Sequence, residues 1–278
     1  MNTKIGMAVS EAVEKFVSKG IDNSKIDARI LMASVLKVSP HETSFLFNKF
    51  LTDEQRDLFS NAVERRLARI PVSHILGYRD FFDHRFIVTS DVLDPRPETE
   101  HLVEEALKKN FQNVLDLGTG SGCIILSLLA KKAGSRGLGV DVSKTAINIA
   151  EKNAVQMSLQ RRVEFKVSDW FNNIKPQKFD LIVSNPPYIH PEKIKFLEPE
   201  LKHEPLLALT DNKDGLDSYR NIARSAPSFL QSRGHLILEI GFDQEFEVTK
   251  ILNLNGFQDI KVTRDLNGRQ RVITCCIK

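Results

Sequence analysis

The sequence predicts an α/β protein: a mainly parallel sheet of seven strands with helices on both faces, preceded by a small helical bundle and a β-hairpin. Three observations carry this expectation. From Asn113 onward, short apolar runs alternate with helical patterns. Before about position 72, the apolar residues recur at helical spacing. Between these regions lies a stretch dense in aromatic and β-branched residues, with turn formers inside it.

The first helix is marked by Ala8, Ala12, Val13, Phe16 and Val17, and the second by Ile26, Ile30, Leu31, Ala33, Val35 and Leu36. Ser39-Pro40-His41-Glu42 and Thr52-Asp53-Glu54-Gln55 have the form of capping boxes, the latter opening a helix through Val63 and Leu67. Residues 72–88 predict a hairpin, with Gly77 and Asp83 as turn candidates. Pro95 and Pro97 punctuate the chain before a helix over about 98–109. Five buried strands follow, at 114–117, 138–140, 163–167, 181–184 and 236–240, with helices at about 146–157 and 219–230. Asn267-Gly268 joins two last strands, 259–263 and 271–277, as an antiparallel hairpin.

Bulk properties exclude several classes. Hydrophobic residues make up 41%, enough for a sizeable core. The net charge is +3, too balanced to argue for a nucleic-acid binder. No apolar run reaches the roughly 20 residues that span a bilayer. No apolar core follows Lys4, so no signal peptide is expected. Cys123, Cys275 and Cys276 show no metal-ligand spacing and are expected to be reduced core residues of a cytoplasmic protein; no metal is expected.

Asp116-Leu117-Gly118-Thr119-Gly120-Ser121-Gly122 follows the first strand of the alternating region and opens a helix. Glycines let backbone approach a ligand closely, and the helix N-terminus offers unpaired N–H groups. Asp116 is placed either to hold an ammonium or to order the loop. Asp141 ends the next strand, where a carboxylate can accept hydrogen bonds from ribose hydroxyls or simply cap the helix starting at Ser143. Asp169 and Trp170 follow the third strand, suited to an adenine amino group and ring respectively, with a core filler as the lesser alternative for Trp170. These features indicate a nucleoside-containing cofactor, without separating a dinucleotide from S-adenosylmethionine.

Asn185-Pro186-Pro187-Tyr188 makes that separation. A planar amide or amino nitrogen is a weak nucleophile, because its lone pair is delocalised. A site that methylates it should grip both N–H hydrogens and aim the lone pair at the methyl carbon. The Asn185 side-chain oxygen can accept one hydrogen and the Pro186 carbonyl the other. Pro186 and Pro187 hold that carbonyl by restricting φ. Tyr188 offers a face for a flat substrate group.

At this point the chain resembles the HemK/PrmC family of protein-(glutamine-N5) methyltransferases. The resemblance runs through Asp27-Ala28-Arg29-Ile30-Leu31, Ile75-Leu76-Gly77-Tyr78, Phe81-Phe82, Pro95-Arg96-Pro97-Glu98-Thr99-Glu100, Ser168-Asp169-Trp170-Phe171, Glu204-Pro205-Leu206-Leu207-Ala208-Leu209 and Asp214-Gly215-Leu216, besides the glycine loop and the Asn185–Tyr188 motif. The Arg-Pro-Glu-Thr-Glu and Glu-Pro segments narrow it to this family. Asp94, where the family usually has an apolar residue, and His203, where it often has tyrosine, depart from the pattern.

The resemblance implies a Rossmann-like seven-stranded class I methyltransferase domain over 96–278, a β-hairpin linker over 73–95 and an N-terminal helical substrate-docking domain over 1–72. It implies that Gly118, Thr119, Gly120, Ser121, Gly122, Asp141, Trp170 and Asn185 bind S-adenosyl-L-methionine, released as S-adenosyl-L-homocysteine. It implies that Asn185, Pro186, Pro187 and Tyr188 hold the substrate, with Asn185, Pro186 and Tyr188 acting in catalysis. The implied substrate is the glutamine of the Gly-Gly-Gln motif in class one peptide-chain release factors. Arg96 and Glu100 would line the pocket or support it, while His74, His84 and His101 would be structural. A monomer without nucleic-acid or membrane partners is expected. Two competing readings have features of their own. A nucleic-acid methyltransferase would use the same motif on a flipped base, but the eleven basic and nine acidic residues of positions 1–72 make a poor phosphate grip. A non-catalytic adaptor would be expected to lack Asp141 or Asn185.

Overall fold

The computed structural model describes residues 3–278, which divide into two compact units. One holds the described residues up to Gly77 together with Glu198–His203; the other holds Tyr78–Leu197 and Glu204–Lys278.

The smaller unit is helical, with α1 (Ile5–Ser18), α2 (Ser24–Leu36), α3 (Asp53–Leu67) and the short α4 (Val72–Leu76). Ile5, Val9, Phe16, Leu31, Met32, Phe59 and Val63 form its core. Two expected core positions, Val17 and Ile26, are instead exposed; α2 turns Ala28, Leu31 and Met32 inward. Thr52 and Gln55 form the expected capping box on α3, in which each side chain accepts from the other residue's backbone N–H. Ser39 and Glu42 exchange the same pair of bonds, but they open a single 3₁₀ turn, Glu42–Leu46, rather than an α-helix. Buried Arg66 donates to Asp27 and to Glu200, both at 2.8 Å. Asp27 of the quoted Asp-Ala-Arg-Ile-Leu stretch is therefore half of a buried ion pair.

The larger unit opens with a hairpin of β1 (Tyr78–Phe81) and β2 (His84–Ile87), turning at Phe82 and Asp83, both in the left-handed region. The hairpin is shorter than the sequence suggests. Residues 72–76 (Val72-Ser73-His74-Ile75-Leu76), three of them apolar, are helix rather than strand, and Gly77 (φ 80°) caps that helix instead of turning a hairpin. After α5 (Glu100–Leu107), strands and helices alternate: β3 (Asn113–Leu117), α6 (Cys123–Lys131), β4 (Arg136–Asp141), α7 (Lys144–Gln156), β5 (Val163–Val167) and β6 (Phe179–Ser184). Then come α8 (Leu206–Leu209), α9 (Asp217–Phe229), β7 (Leu230–Glu239), α10 (Glu245–Leu254), β8 (Gln258–Arg264) and β9 (Gln270–Cys276).

The seven-stranded sheet has the order β5-β4-β3-β6-β7-β9-β8. The first five strands are parallel; β9 runs antiparallel between β7 and β8. Successive strand residues point to opposite faces. Leu115, Leu117, Ile182, Leu236 and Leu238 join one core with α9 and α10. Val114, Leu181, Val183 and Ile237 join the other with α5 and α6. Burial on both faces explains why these strands read as continuous apolar runs. Cys123 and Cys275 are buried, and burial pushes the Cys123 thiol up to about 12, so it stays protonated. No helix among the described residues is long and apolar enough to cross a membrane.

Candidate active site

Strand order reverses between β3 and β6, and ligands of open α/β sheets bind outside the carboxyl ends of strands at such a point. A cavity of about 530 Å³ lies there. Gly118 and Gly120, Asp141, Ser168 to Trp170, Asn185 and Pro187 line it from β3, β4, β5 and β6 in turn, joined by Ser90 to Leu93, Leu207, Ala208 and Thr210 to Asn212 among others.

The glycine loop is shaped by its neighbours. Gly118 and Gly120 take positive φ, and a side chain at either would project into open space. The Asp141 carboxylate accepts from the Gly120 N–H at 2.9 Å and from the Ser143 N–H at 2.9 Å. It therefore both holds the loop and caps α7, where the Ser143 hydroxyl also accepts from the Ala146 N–H. Burial raises its carboxyl above the usual range, against those hydrogen bonds. Each carboxylate oxygen keeps a further lone pair for a ligand hydroxyl.

Thr119, Ser121 and Gly122 lie beneath the loop rather than along the cavity. Thr119 donates to Asp116 at 2.7 Å, the Ser121 carbonyl accepts from Asn153 at 2.9 Å, and Gly122 leaves room for Leu126 and Ala150. Asp116 is fully buried, its second oxygen is unpartnered, and burial lifts its carboxyl to about 7. It does not line the cavity, so it serves the loop from behind.

Trp170 sits at φ 48°, a conformation a bulky side chain rarely adopts. The Ser168 hydroxyl bridges this turn, donating to the Trp170 carbonyl at 2.8 Å and accepting from the Asn173 N–H at 3.0 Å. Trp170 lines the cavity beside Asp169 and also packs against the core of the sheet, so it combines the two alternatives the sequence offers. Open space over Gly118 and Gly120, a carboxylate at the end of β4 and an aromatic wall after β5 suit a nucleoside bearing a charged amino-acid tail, so the residues present fit S-adenosylmethionine.

The Asn185–Tyr188 turn is held from several sides. Before it, Ser184 donates to the Leu117 carbonyl at 2.7 Å. Within it, the Pro187 carbonyl accepts from Ser218 at 3.2 Å and the Tyr188 carbonyl from Gln244 at 3.1 Å. Among the described residues no donor reaches the Pro186 carbonyl. Gly215 packs so tightly under the turn that a Cβ would stand 2.5 Å from the Tyr188 oxygen.

Two residues that the sequence reading passed over support this turn from behind. Asn185 donates its amide N–H to the Thr99 hydroxyl at 3.2 Å. Thr99 donates to Glu239 at 2.7 Å, and the Tyr188 hydroxyl donates to the other Glu239 oxygen at 3.2 Å. Burial beside that carboxylate keeps the Tyr188 phenol above its usual range, so it remains a donor. A lone acid in the apolar run Leu236–Ile240 was the available signal for Glu239. Arg96 and Glu100 do not line the cavity. Arg96 pairs with Glu204, joining the Arg-Pro-Glu-Thr-Glu and Glu-Pro segments, and Glu100 accepts from the Phe82 N–H at 3.0 Å. The departing Asp94 is buried 3.7 Å from Arg96 and 3.8 Å from Arg79, a cationic setting that accommodates it. The departing His203 contacts the Ala68 carbonyl at 3.1 Å.

This fold, with a glycine loop, a carboxylate ending the next strand and the Asn185–Tyr188 turn at adjacent strand ends, is that of an S-adenosylmethionine-dependent methyltransferase. Residues 86–199 match the methyltransferase small domain, and residues 7–77 match the PrmC N-terminal domain. A release factor glutamine methyltransferase from Cereibacter sphaeroides is 42% identical over 96% of both chains. The chain belongs to the release factor glutamine methyltransferase family. It is also 36% identical, over 98% of its length, to a bifunctional methyltransferase from Rickettsia felis, of which it spans 58%. A methyltransferase structure from Pyrococcus furiosus shares the fold at a TM-score of 0.56 and 14% identity, covering 78% of this chain and 98% of that one.

Proposed function

We propose that this chain methylates the side-chain amide nitrogen (N5) of the glutamine in the Gly-Gly-Gln motif of class one peptide-chain release factors, and so supports translation termination. The observation that carries the reading is the Asn185–Tyr188 turn, whose Asn185 borders the cavity and whose Pro186 carbonyl no donor among the described residues reaches. Its relatives that are release factor glutamine methyltransferases support it.

When bound, S-adenosylmethionine supplies an electrophilic methyl carbon on a sulfonium leaving group. Gly118 and Gly120 would give its amino-acid end room, Asp141 would accept from its ribose, and Trp170 would lie against its adenine. Thr119, Ser121 and Gly122 act by shaping the loop. The Asn185 oxygen and the Pro186 carbonyl accept the two N–H hydrogens of the target amide and Pro187 borders the cavity beside it, while Tyr188, which like Pro186 is outside the cavity lining, anchors the turn through Glu239. Held this way, the nitrogen lone pair points along the line of displacement, so most of the acceleration comes from orientation. No strong base is needed, because the methylated nitrogen releases its extra proton to solvent.

The helical unit, residues 1–72 in the sequence reading, docks the body of the release factor while the catalytic unit takes the glutamine-bearing loop. The reaction belongs in the cytoplasm, where release factors act, and requires one copy of the chain and neither nucleic acid nor membrane. Mass spectrometry of a Gly-Gly-Gln release factor after incubation with the protein and S-adenosylmethionine tests the reading. A single added methyl on that glutamine is expected. An unmodified glutamine, with methyl incorporated into RNA instead, overturns it.

A further inference from the structure

We propose that Glu239, acting through Thr99, is a positioning residue that sets which end of the Asn185 amide meets the target and thereby selects an amide over a carboxylate. The proposal rests on the glutamine-amide reading above and names the residues that enforce it.

Glu239 ends β7 and is 1% exposed, outside the cavity lining. An ionised carboxylate only accepts hydrogen bonds. Its two oxygens receive the Thr99 hydroxyl at 2.7 Å and the Tyr188 hydroxyl at 3.2 Å. A threonine hydroxyl has one proton, and Thr99 commits it to Glu239. The Thr99 oxygen can then only accept, which it does from the Asn185 Nδ2 at 3.2 Å. Turning the Asn185 amide over would set its oxygen against the Thr99 oxygen with no proton between them. A buried pair of facing acceptors is costly. The relay thus runs one way, and it leaves the Asn185 Oδ1 as the free end at the cavity. Burial raises the Glu239 carboxyl above its usual range; the Thr99 hydroxyl, the charge of Arg271 (itself paired to Asp265 at 3.2 Å) and the Tyr188 hydroxyl oppose that rise and favour the ionised, accepting form.

The consequence is selectivity. A glutamine amide brings two N–H donors to the Asn185 oxygen and the Pro186 carbonyl. A glutamate carboxylate brings only acceptors and is repelled by both. The same relay, by holding the Tyr188 hydroxyl, keeps both ends of the turn in register.

The test uses the full chain with Glu239→Gln, Thr99→Val and Thr99→Ser. A glutamine side chain at 239 can donate to Thr99 and so reverse the relay; valine at 99 breaks it; serine at 99 keeps it. Measured are kcat and KM on a Gly-Gly-Gln peptide, S-adenosylmethionine affinity by calorimetry, melting temperature, and inhibition by the matching Gly-Gly-Glu peptide. For Glu239→Gln and Thr99→Val, kcat falls by on the order of 10²-fold, as expected for a misoriented contact, while cofactor affinity is unchanged. Thr99→Ser restores kcat to near the parent value. The Gly-Gly-Glu peptide gains inhibitory strength relative to Gly-Gly-Gln binding in the two broken variants. Parent-like kcat in Thr99→Val, or equal losses in Thr99→Ser and Thr99→Val, overturns the proposal. If the unaltered protein ignores the glutamine peptide, the substrate reading fails separately. The relay is then judged by the side-chain amide protons of Asn185 in protein carrying isotope-labelled asparagine. Slow exchange of one proton that is lost in Thr99→Val supports it, and fast exchange of both in the unaltered protein overturns it.

Discussion

Asp116→Asn should remove a pH-dependent loss of stability that is built into the glycine loop. Asp116 is fully buried, takes the Thr119 hydroxyl on one oxygen and leaves the other unpartnered, and its carboxyl is lifted from 3.8 to about 7. Burial is the main cause, and nearby Asp141 adds repulsion. Because the folded value lies above the unfolded one, the folded state holds its proton longer. The contribution to stability is therefore full below pH 3.8 and is lost as pH rises through about 7. Between pH 5 and pH 8 the linkage amounts to about 2.5 kcal/mol. For a catalytic unit of roughly 200 residues that is a fall in melting temperature of about 5–10 °C. Asn keeps an oxygen for Thr119 and has no charge to bury. Its added N–H group shifts stability by an amount that does not vary with pH, so the informative quantity is the slope. Glu239, also raised by burial, titrates in both proteins and cancels in the difference, whereas Asp141, which repels Asp116, is part of the same coupled pair. Differential scanning calorimetry of the two proteins at several pH values should show curves that diverge upward in favour of Asp116→Asn. A constant difference from pH 5 to pH 8 would refute the assignment of a buried, proton-holding Asp116.

Three further outcomes are expected. Asp141→Ala should weaken S-adenosylmethionine binding by about 1.5–3 kcal/mol, the range for charge-assisted hydrogen bonds, and calorimetry giving an unchanged Kd would remove Asp141 from the ribose role. Asn185→Ala should keep the cofactor affinity and lose most turnover on a Gly-Gly-Gln peptide, because the target nitrogen is no longer oriented; near-normal kcat would refute the grip. Deleting residues 1–72 should leave cofactor affinity nearly intact and cut methylation of a whole release factor far more than that of a short peptide. Equal loss of both reactions, with a broadened melting curve, would mean that the helical unit serves only stability.

The sequence by itself determined the features that live within one turn or one strand. The Asp116–Gly122 loop, Asp141, the Trp170 turn and Asn185–Tyr188 were legible because each is a short run at the end of a periodic apolar segment, and their convergence follows from the rule that parallel strands share one carboxyl edge. The Thr52 capping box was legible because both of its bonds are local. Tertiary structure alone decided the rest. Residues 72–76 carry a pattern compatible with strand or helix, and a run that short is settled by its packing. That β9 enters between β7 and β8 is a choice of partner, which the Asn267-Gly268 turn does not encode. The Arg66–Glu200 pair spans 134 residues and the Thr99–Glu239 bond spans 140. Local periodicity cannot bring such residues together; burial can, because a charge removed from water persists only where the fold delivers its partner.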